Sequence, residues 1–187
     1  MKKITMPVLL ALIISGTNLF AQKSYLSEQH GHTLNLGLGI GGYYGSYNYV
    51  GHSLPVFNIN YEFDVARNFT LAPFATFITY RDYVTRGNYD YYYRETIVPI
   101  GVKGTYYLDQ ALRAGPNWDF YLAGSLGFNV VRTIWEDGHN YSNDAYYHNI
   151  GPLFLDLHIG TEYHLSKSVG LFLDLSTGVS TLGLSFR

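Results

Sequence analysis

The stretch Leu153-Phe154-Leu155-Asp156-Leu157-His158-Ile159-Gly160-Thr161-Glu162-Tyr163-His164 decides the fold. Its odd positions are Leu, Leu, Leu, Ile, Thr and Tyr; its even positions are Phe, Asp, His, Gly, Glu and His. Successive side chains of a strand point to opposite faces, so this period of two gives one apolar and one polar face. The polar face is the informative one. A soluble sandwich covers its outer face with Lys and Glu, whereas the alternate face here, and along the rest of the chain, is mostly Gly, Asn, Ser, Thr and Tyr with few charges. Such a face is too small and too neutral to meet water. It suits the inside of a narrow barrel, where eight strands leave room only for interlocked side chains.

The same alternation recurs outward from this stretch in both directions. Leu34/Leu36/Leu38/Ile40 oppose Asn35/Gly37/Gly39, and Phe57/Ile59/Tyr61/Phe63 oppose Asn58/Asn60/Glu62/Asp64. Val98/Ile100/Val102/Tyr106 oppose Gly101/Lys103/Thr105/Tyr107. Phe120/Leu122/Gly124/Leu126/Phe128/Val130 oppose Tyr121/Ala123/Ser125/Gly127/Asn129. Val169/Leu171/Leu173/Leu175 oppose Gly170/Phe172/Asp174, and Leu182/Leu184/Phe186 oppose Gly183/Ser185/Arg187. An eighth segment, Phe69 to Tyr80, is a strand by composition, but both its faces are apolar and its orientation stays open. Across the about nine to eleven residues that a tilted strand needs to cross a bilayer, the apolar faces of the seven oriented strands carry no charge. A charge there costs about 2–4 kcal/mol at the bilayer midplane. Arg132 falls on the apolar face only beyond Val130, where the band ends.

Long connections are expected at 41–53, 81–93 and 136–148, and short ones at 65–68, 109–117 and 166–168; the outer connection at Ser176–Ser180 is short. Short turns on one side and long loops on the other place both termini on the short-turn side. The fold class expected is all-β, an eight-stranded antiparallel up-and-down transmembrane β-barrel, with no helix.

Composition agrees. Of 187 residues, 17% are aromatic and 14% charged, against roughly 25% charged in a soluble domain. That poverty in charge, with a net charge of −2, excludes a disordered chain, a coiled coil and a nucleic-acid partner. Cys is absent, which excludes a disulfide scaffold, a thiolate metal site and a cysteine nucleophile. Lys2 and Lys3 before the apolar run Ile4–Ile14, then Leu19-Phe20-Ala21, read as a signal peptide over residues 1–21, cleaved after Ala21. Residues 22–187 are then the exported barrel domain, expected in the outer membrane of a Gram-negative bacterium.

Leu165 to Leu175, followed by Thr181-Leu182-Gly183-Leu184-Ser185-Phe186-Arg187, resembles the last hairpin of small outer-membrane β-barrel proteins of the Bacteroidetes type, of the OmpX and OmpA-transmembrane-domain kind. Tyr121 to Asn129 is similar to their central strand, and Phe20-Ala21-Gln22 to their signal-peptide ends. The resemblance implies the fold, the location, and recognition of the terminal aromatic by the barrel assembly machinery; here Phe186 is penultimate. It implies no particular activity.

Inward parity gathers Glu62, Asp64, Lys103, Asp156, His158, Glu162, His164, Asp174 and Arg187. These are read as a structural polar network of mutually paired charges, whose members are Glu62, Lys103, Asp156, His158, Glu162, Asp174 and Arg187. His158 is expected between Asp156 and Glu162, with Lys103 and Arg187 as counter-charges. Neighbours two apart on one strand lie ~6–7 Å apart, so no metal site is assigned, nor any cofactor. His139 and Ser142 invite comparison with lipid A deacylases, but they stand three apart where that family has two, and no Glu follows at a comparable place, the next acid being Asp144. No catalytic residue is assigned. Tyrosines cluster in the expected outer loops, with Tyr44, Tyr47, Tyr91, Tyr92, Tyr146 and Tyr147 as surface-contact candidates. The same residues also read as an interfacial aromatic girdle.

The expected function is therefore non-enzymatic: a monomeric outer-membrane barrel with a plugged lumen and a structural or surface-interaction role. Its partners would be outer-membrane lipid, the barrel assembly machinery and an unidentified extracellular glycan or protein. The alternatives are a lipid A-modifying outer-membrane hydrolase and a secreted lipocalin-like binder of small ligands.

Overall fold

Alternating Leu, Ile, Val, Phe and Tyr with small polar residues favours strands, and in the computed structural model nearly every such segment becomes one. The structure describes residues 30, 32–41, 55–86, 88–136 and 152–187. The leader over 1–21, Tyr44, Tyr47, Tyr146, Tyr147 and the His139/Ser142 pair lie outside the described residues. The elements are β1 (Thr33–Gly41), β2 (Pro55–Ala66), β3 (Phe69–Arg86), β4 (Tyr89–Tyr107), α1 (Asp109–Leu112), β5 (Trp118–Trp135), β6 (Leu153–His164), β7 (Val169–Ser176) and β8 (Val179–Phe186). Each strand pairs antiparallel with the next, and β8 returns to β1, closing a barrel of eight strands. The expected fold class holds, with one correction. The short 109–117 connection contains a four-residue helical turn, α1, which ends at Arg113 in the left-handed region (φ 52°).

The polarity is inside-out. On β6, Leu153 and Leu155 are 72% and 74% exposed, whereas Asp156 between Leu155 and Leu157 is 2% exposed. Leu126, Leu182, Ile159 and Leu38 likewise face outward. A face of this kind is stable only against hydrocarbon, and a closed barrel leaves no unpaired strand edge there, so the barrel is transmembrane. At the short-turn end Trp118, Tyr106 and Tyr61 face outward, and Trp118 packs on Tyr163 at 4.8 Å between ring centroids. This is an interfacial aromatic belt.

A further expectation is corrected. Residues 81–93 are not one long loop: β3 and β4 stay in register through Arg81↔Arg94, Tyr83↔Tyr92 and Arg86↔Tyr89, so Tyr91 and Tyr92 sit on β4. Beyond the bilayer the outer face has no reason to be apolar, so the contrast between faces fades while the ladder continues. Arg81 lies over the Tyr92 ring at 4.4 Å and donates to Glu136 at 2.7 Å, tying β3 to the end of β5. That bond, with the guanidinium charge, holds the Glu136 carboxyl below its ordinary range. The orientation left open for Phe69 to Tyr80 is also decided: Thr70, Ala72, Phe74, Thr76, Ile78 and Tyr80 turn inward, and Phe74, Ile78 and Tyr80 join a buried apolar cluster in the outer half of the lumen.

Eight strands enclose little space, and large rings lie flat along the wall where a neighbouring strand lacks a Cβ. Tyr121 lies over its cross-strand neighbour Gly160, and Phe172 lies over the paired Gly37 and Gly183 of the β1–β8 seam. A Cβ at Gly160 would overlap the Tyr121 ring, whereas at Gly124 its nearest neighbours would be 3.9 Å away. Gly160→Ala is therefore expected to destabilise the barrel by about 1–3 kcal/mol, and Gly124→Ala to leave it near the parent. Urea unfolding midpoints of the refolded proteins check this.

Candidate functional site

Strand parity delivers one polar side chain every second residue into the lumen, and cross-strand neighbours then decide who meets whom. From the outer end inward, Val56, Phe74, Ile78, Tyr80, Tyr93, Ile97, Phe154 and Val179 form a buried apolar cluster. Glu95, 1% exposed within this half, takes the Tyr80 hydroxyl and, at 3.3 Å, the Thr133 hydroxyl.

Below it lies a charged layer centred on Lys103. The Lys103 ammonium donates to Asp174 Oδ2 at 3.0 Å, stands 4.0 Å from Glu62 Oε1, and lies 5.2 Å from the Tyr121 ring centroid. Glu62 accepts from the Tyr107 hydroxyl at 2.6 Å, from Asn35 at 3.4 Å and from Thr70 at 3.3 Å. Asp174 also accepts from the Tyr121 hydroxyl at 3.0 Å and meets His158 Nδ1 at 2.7 Å. His158 Nε2 lies 3.0 Å from Ser125 Oγ and 3.7 Å from Asp156 Oδ2. Asp156 accepts from Ser176 Oγ at 3.0 Å and from the Thr177 hydroxyl. The cavity among Asn35, Glu62, Lys103, Ser125, His158 and Asp174 measures about 30 Å³, space on the order of two water molecules.

At the short-turn rim a second cluster forms. Arg187 reaches Glu162 at 3.0 Å and Asp119 at 3.4 Å, and Ser185 donates to Glu162. Asp119 meets His164 at 2.8 Å and lies 3.6 Å from His30 Nδ1. His30 stacks flat on Tyr107, with centroids 3.9 Å apart and planes 6° apart, and its backbone N–H donates to Asp64 at 3.2 Å. Burial opposes a charge on His30; the adjacent Asp119 carboxylate, with the fields of Asp109 and Asp64, outweighs it and raises the pKa above the ordinary histidine value.

All seven expected network residues point inward, but in two clusters rather than one. His158 does not pair with Glu162. Its partners are Asp156 and, across the β6–β7 pairing, Asp174, while Glu162 goes to Arg187. In the β6–β7 ladder His158 stands opposite Ser176 and Asp174 opposite Gly160, so the two meet on the diagonal, a span that long side chains can bridge. Sequence reasoning did not single out Tyr107, Tyr121, Ser125 or Asp119, although strand parity places all four inward. His30 and Asp109 lie off the strands, where no periodicity marks them.

Lys103 is the one cation that reaches both Asp174 and Glu62 among the described residues. Lys103→Met is expected to cost about 3–5 kcal/mol, as for breaking a buried ion pair, and Lys167→Met, at an exposed turn, less than about 0.5 kcal/mol. Unfolding midpoints and the heat-dependent shift in gel mobility read the difference.

No protein-family model and no curated protein matches this chain. Among solved structures it is similar to a de novo designed transmembrane β-barrel, at 12% identity and TM-score 0.44, covering 85% of this chain and 98% of that one. It is also similar to Ail, the attachment invasion locus protein of Yersinia pestis, in complex with the heparin analogue sucrose octasulfate, at 9% identity and TM-score 0.43 over 86% of this chain and 99% of that one. The structure of Ail alone matches at 8% identity and TM-score 0.42, with the same coverage of 86% and 99%. With scores this low, the architecture rests on the register and polarity of this barrel itself.

Proposed function

We propose that this chain is a monomeric, non-enzymatic outer-membrane barrel of a Gram-negative bacterium, with a closed lumen and a contact role at the cell surface. The observation that carries the reading is the unequal height of the wall. β3, β4 and β5 run 18, 19 and 18 residues, against 8 for β7 and β8. About ten residues suffice to cross a bilayer, so the three tall strands project as a twisted sheet. Its projecting part bears Tyr83, Tyr89 and Tyr92, exposed by 53%, 72% and 40%, beside the exposed Arg81 and Arg94. Aromatic and arginine side chains on a rigid sheet suit contact with a glycan or a protein. In the bilayer the belt meets lipid, and the barrel assembly machinery would insert it.

A lipocalin-like binder is disfavoured, because such a barrel turns its apolar face inward around a ligand cavity. The hydrolase alternative deserves a geometric answer. Ser125, His158 and Asp174 stand at the distances of a nucleophile–base–carboxylate relay. Ser125, however, is 2% exposed, and the adjoining cavity of about 30 Å³ is too small for an acyl group. Asp174 Oδ2 is also committed to Lys103 and Tyr121. The relay belongs to the packing of the lumen.

Two measurements on the purified protein test the closed interior: no porin-sized conductance steps in planar bilayers, and no labelling of Ser125 by a fluorophosphonate. The contact role is tested with cells displaying the barrel on arrays of glycans and matrix proteins. Parent cells are expected to bind some spots above vector-only cells, and Tyr83→Ser/Tyr89→Ser/Tyr92→Ser cells to lose that binding. Parent cells no different from vector-only cells would leave a purely structural role.

A further inference from the structure

We propose that the short-turn rim binds a divalent transition cation of the zinc class between His30 Nε2 and Asp109, with Asp119 bracing the far side of the His30 ring. The three come from separate places in the chain: the segment before β1, the first turn of α1, and the start of β5. One ligand atom from each lies within 4.8 Å of the others. His30 is 5% exposed, and its ring is held flat on Tyr107. Its Nε2 is buried and makes no hydrogen bond among the described residues. It points at Asp109 Oδ2, 3.8 Å away. That gap is too long for a hydrogen bond, but it suits two ligands bound at about 2.0–2.1 Å to one ion lying between them and slightly off their line.

Local bonds aim the ligands. Asp109 Oδ1 accepts the Phe120 N–H at 2.7 Å, which leaves Oδ2 directed at His30. On the other side of the ring, Asp119 Oδ2 lies 3.6 Å from Nδ1, where carboxylates commonly orient a metal-bound histidine and raise its basicity. One imidazole nitrogen with carboxylate oxygens suits zinc better than magnesium or calcium.

A neighbouring trio, Asp119, Glu162 and His164, also lies within 4.8 Å. There the Arg187 guanidinium already stands 3.4 Å from Asp119, 3.0 Å from Glu162 and 3.2 Å from His164. Its fixed charge repels a cation and directs it to the His30 side. A bound ion would clip the chain before β1 to α1 across the barrel mouth.

The test uses the refolded barrel in detergent, stripped of metal, with ZnCl2 titrated by calorimetry and CoCl2 followed by visible absorption. The parent is expected to bind one Zn²⁺ per chain and to give Co²⁺ bands of a nitrogen- and oxygen-ligated ion. His30→Gln and Asp109→Asn should each weaken binding by about tenfold or more, and His32→Gln, at an exposed site, should not. Each variant is first checked for the heat-dependent mobility shift of a folded barrel. Unchanged affinity in either variant overturns the proposal, as does a parent that shows no saturable binding. If neither variant folds, a parent Co²⁺ spectrum without ligand-field bands from a bound site overturns it alone.

Discussion

Closure of β8 onto β1 is the constraint from which the rest of the structure follows. In hydrocarbon no backbone N–H or C=O can stay unpaired, so a sheet survives there only by losing both edges. The seam is made by Leu34↔Phe186, Leu36↔Leu184 and Leu38↔Leu182 facing lipid, with Gly37↔Gly183 between them facing in. Once eight strands close, the circumference is set and the lumen is only as wide as two layers of side chains. Phe172 over the glycine pair and Tyr121 over Gly160 are the consequence: rings fill the interior where the wall beside them has been thinned.

A filled interior must also be an electrically settled one. The lumen divides into an apolar outer half and a charged inner half, and Lys103 carries the balance of the latter. Its ammonium faces Asp174 and Glu62, while tyrosine, asparagine, threonine and histidine groups take the remaining carboxylate oxygens. Ion pairs of this kind are weak evidence for stability gained over an apolar core, because desolvation offsets their attraction, but losing one partner strands the other. Tyr107 links this layer to the rim: its hydroxyl serves Glu62 while its ring supports His30. Lumen packing and the arrangement at the short-turn mouth are therefore coupled through one side chain.

Outside the bilayer the constraint relaxes, and the wall becomes uneven. β3, β4 and β5 continue where β7 and β8 stop. Their projecting part is held by cross-strand contacts, such as Arg81 on Tyr92 and Glu136 and the Thr85–Asp90 bond of 2.7 Å. A rigid sheet edged with tyrosine orders side chains that a flexible loop would leave free, and this lowers the entropy lost when they contact a partner.

The amino-acid sequence by itself determined the strand character, the inward and outward parity of seven strands, and the seven inward charges. These depend on a period of two and on the chemistry of the medium outside, which a single strand already expresses. The tertiary structure alone decided three things. It oriented Phe69 to Tyr80, whose two apolar faces carry no contrast until one meets lipid and the other the lumen. It turned 81–93 from a loop into paired strands, because pairing with β3 persists where the membrane no longer imposes a pattern. And it chose partners: Asp174 rather than Glu162 for His158, and His30 beside Asp109 and Asp119. Those contacts join residues far apart in the chain, and only the stagger of strands around a closed barrel brings them within reach.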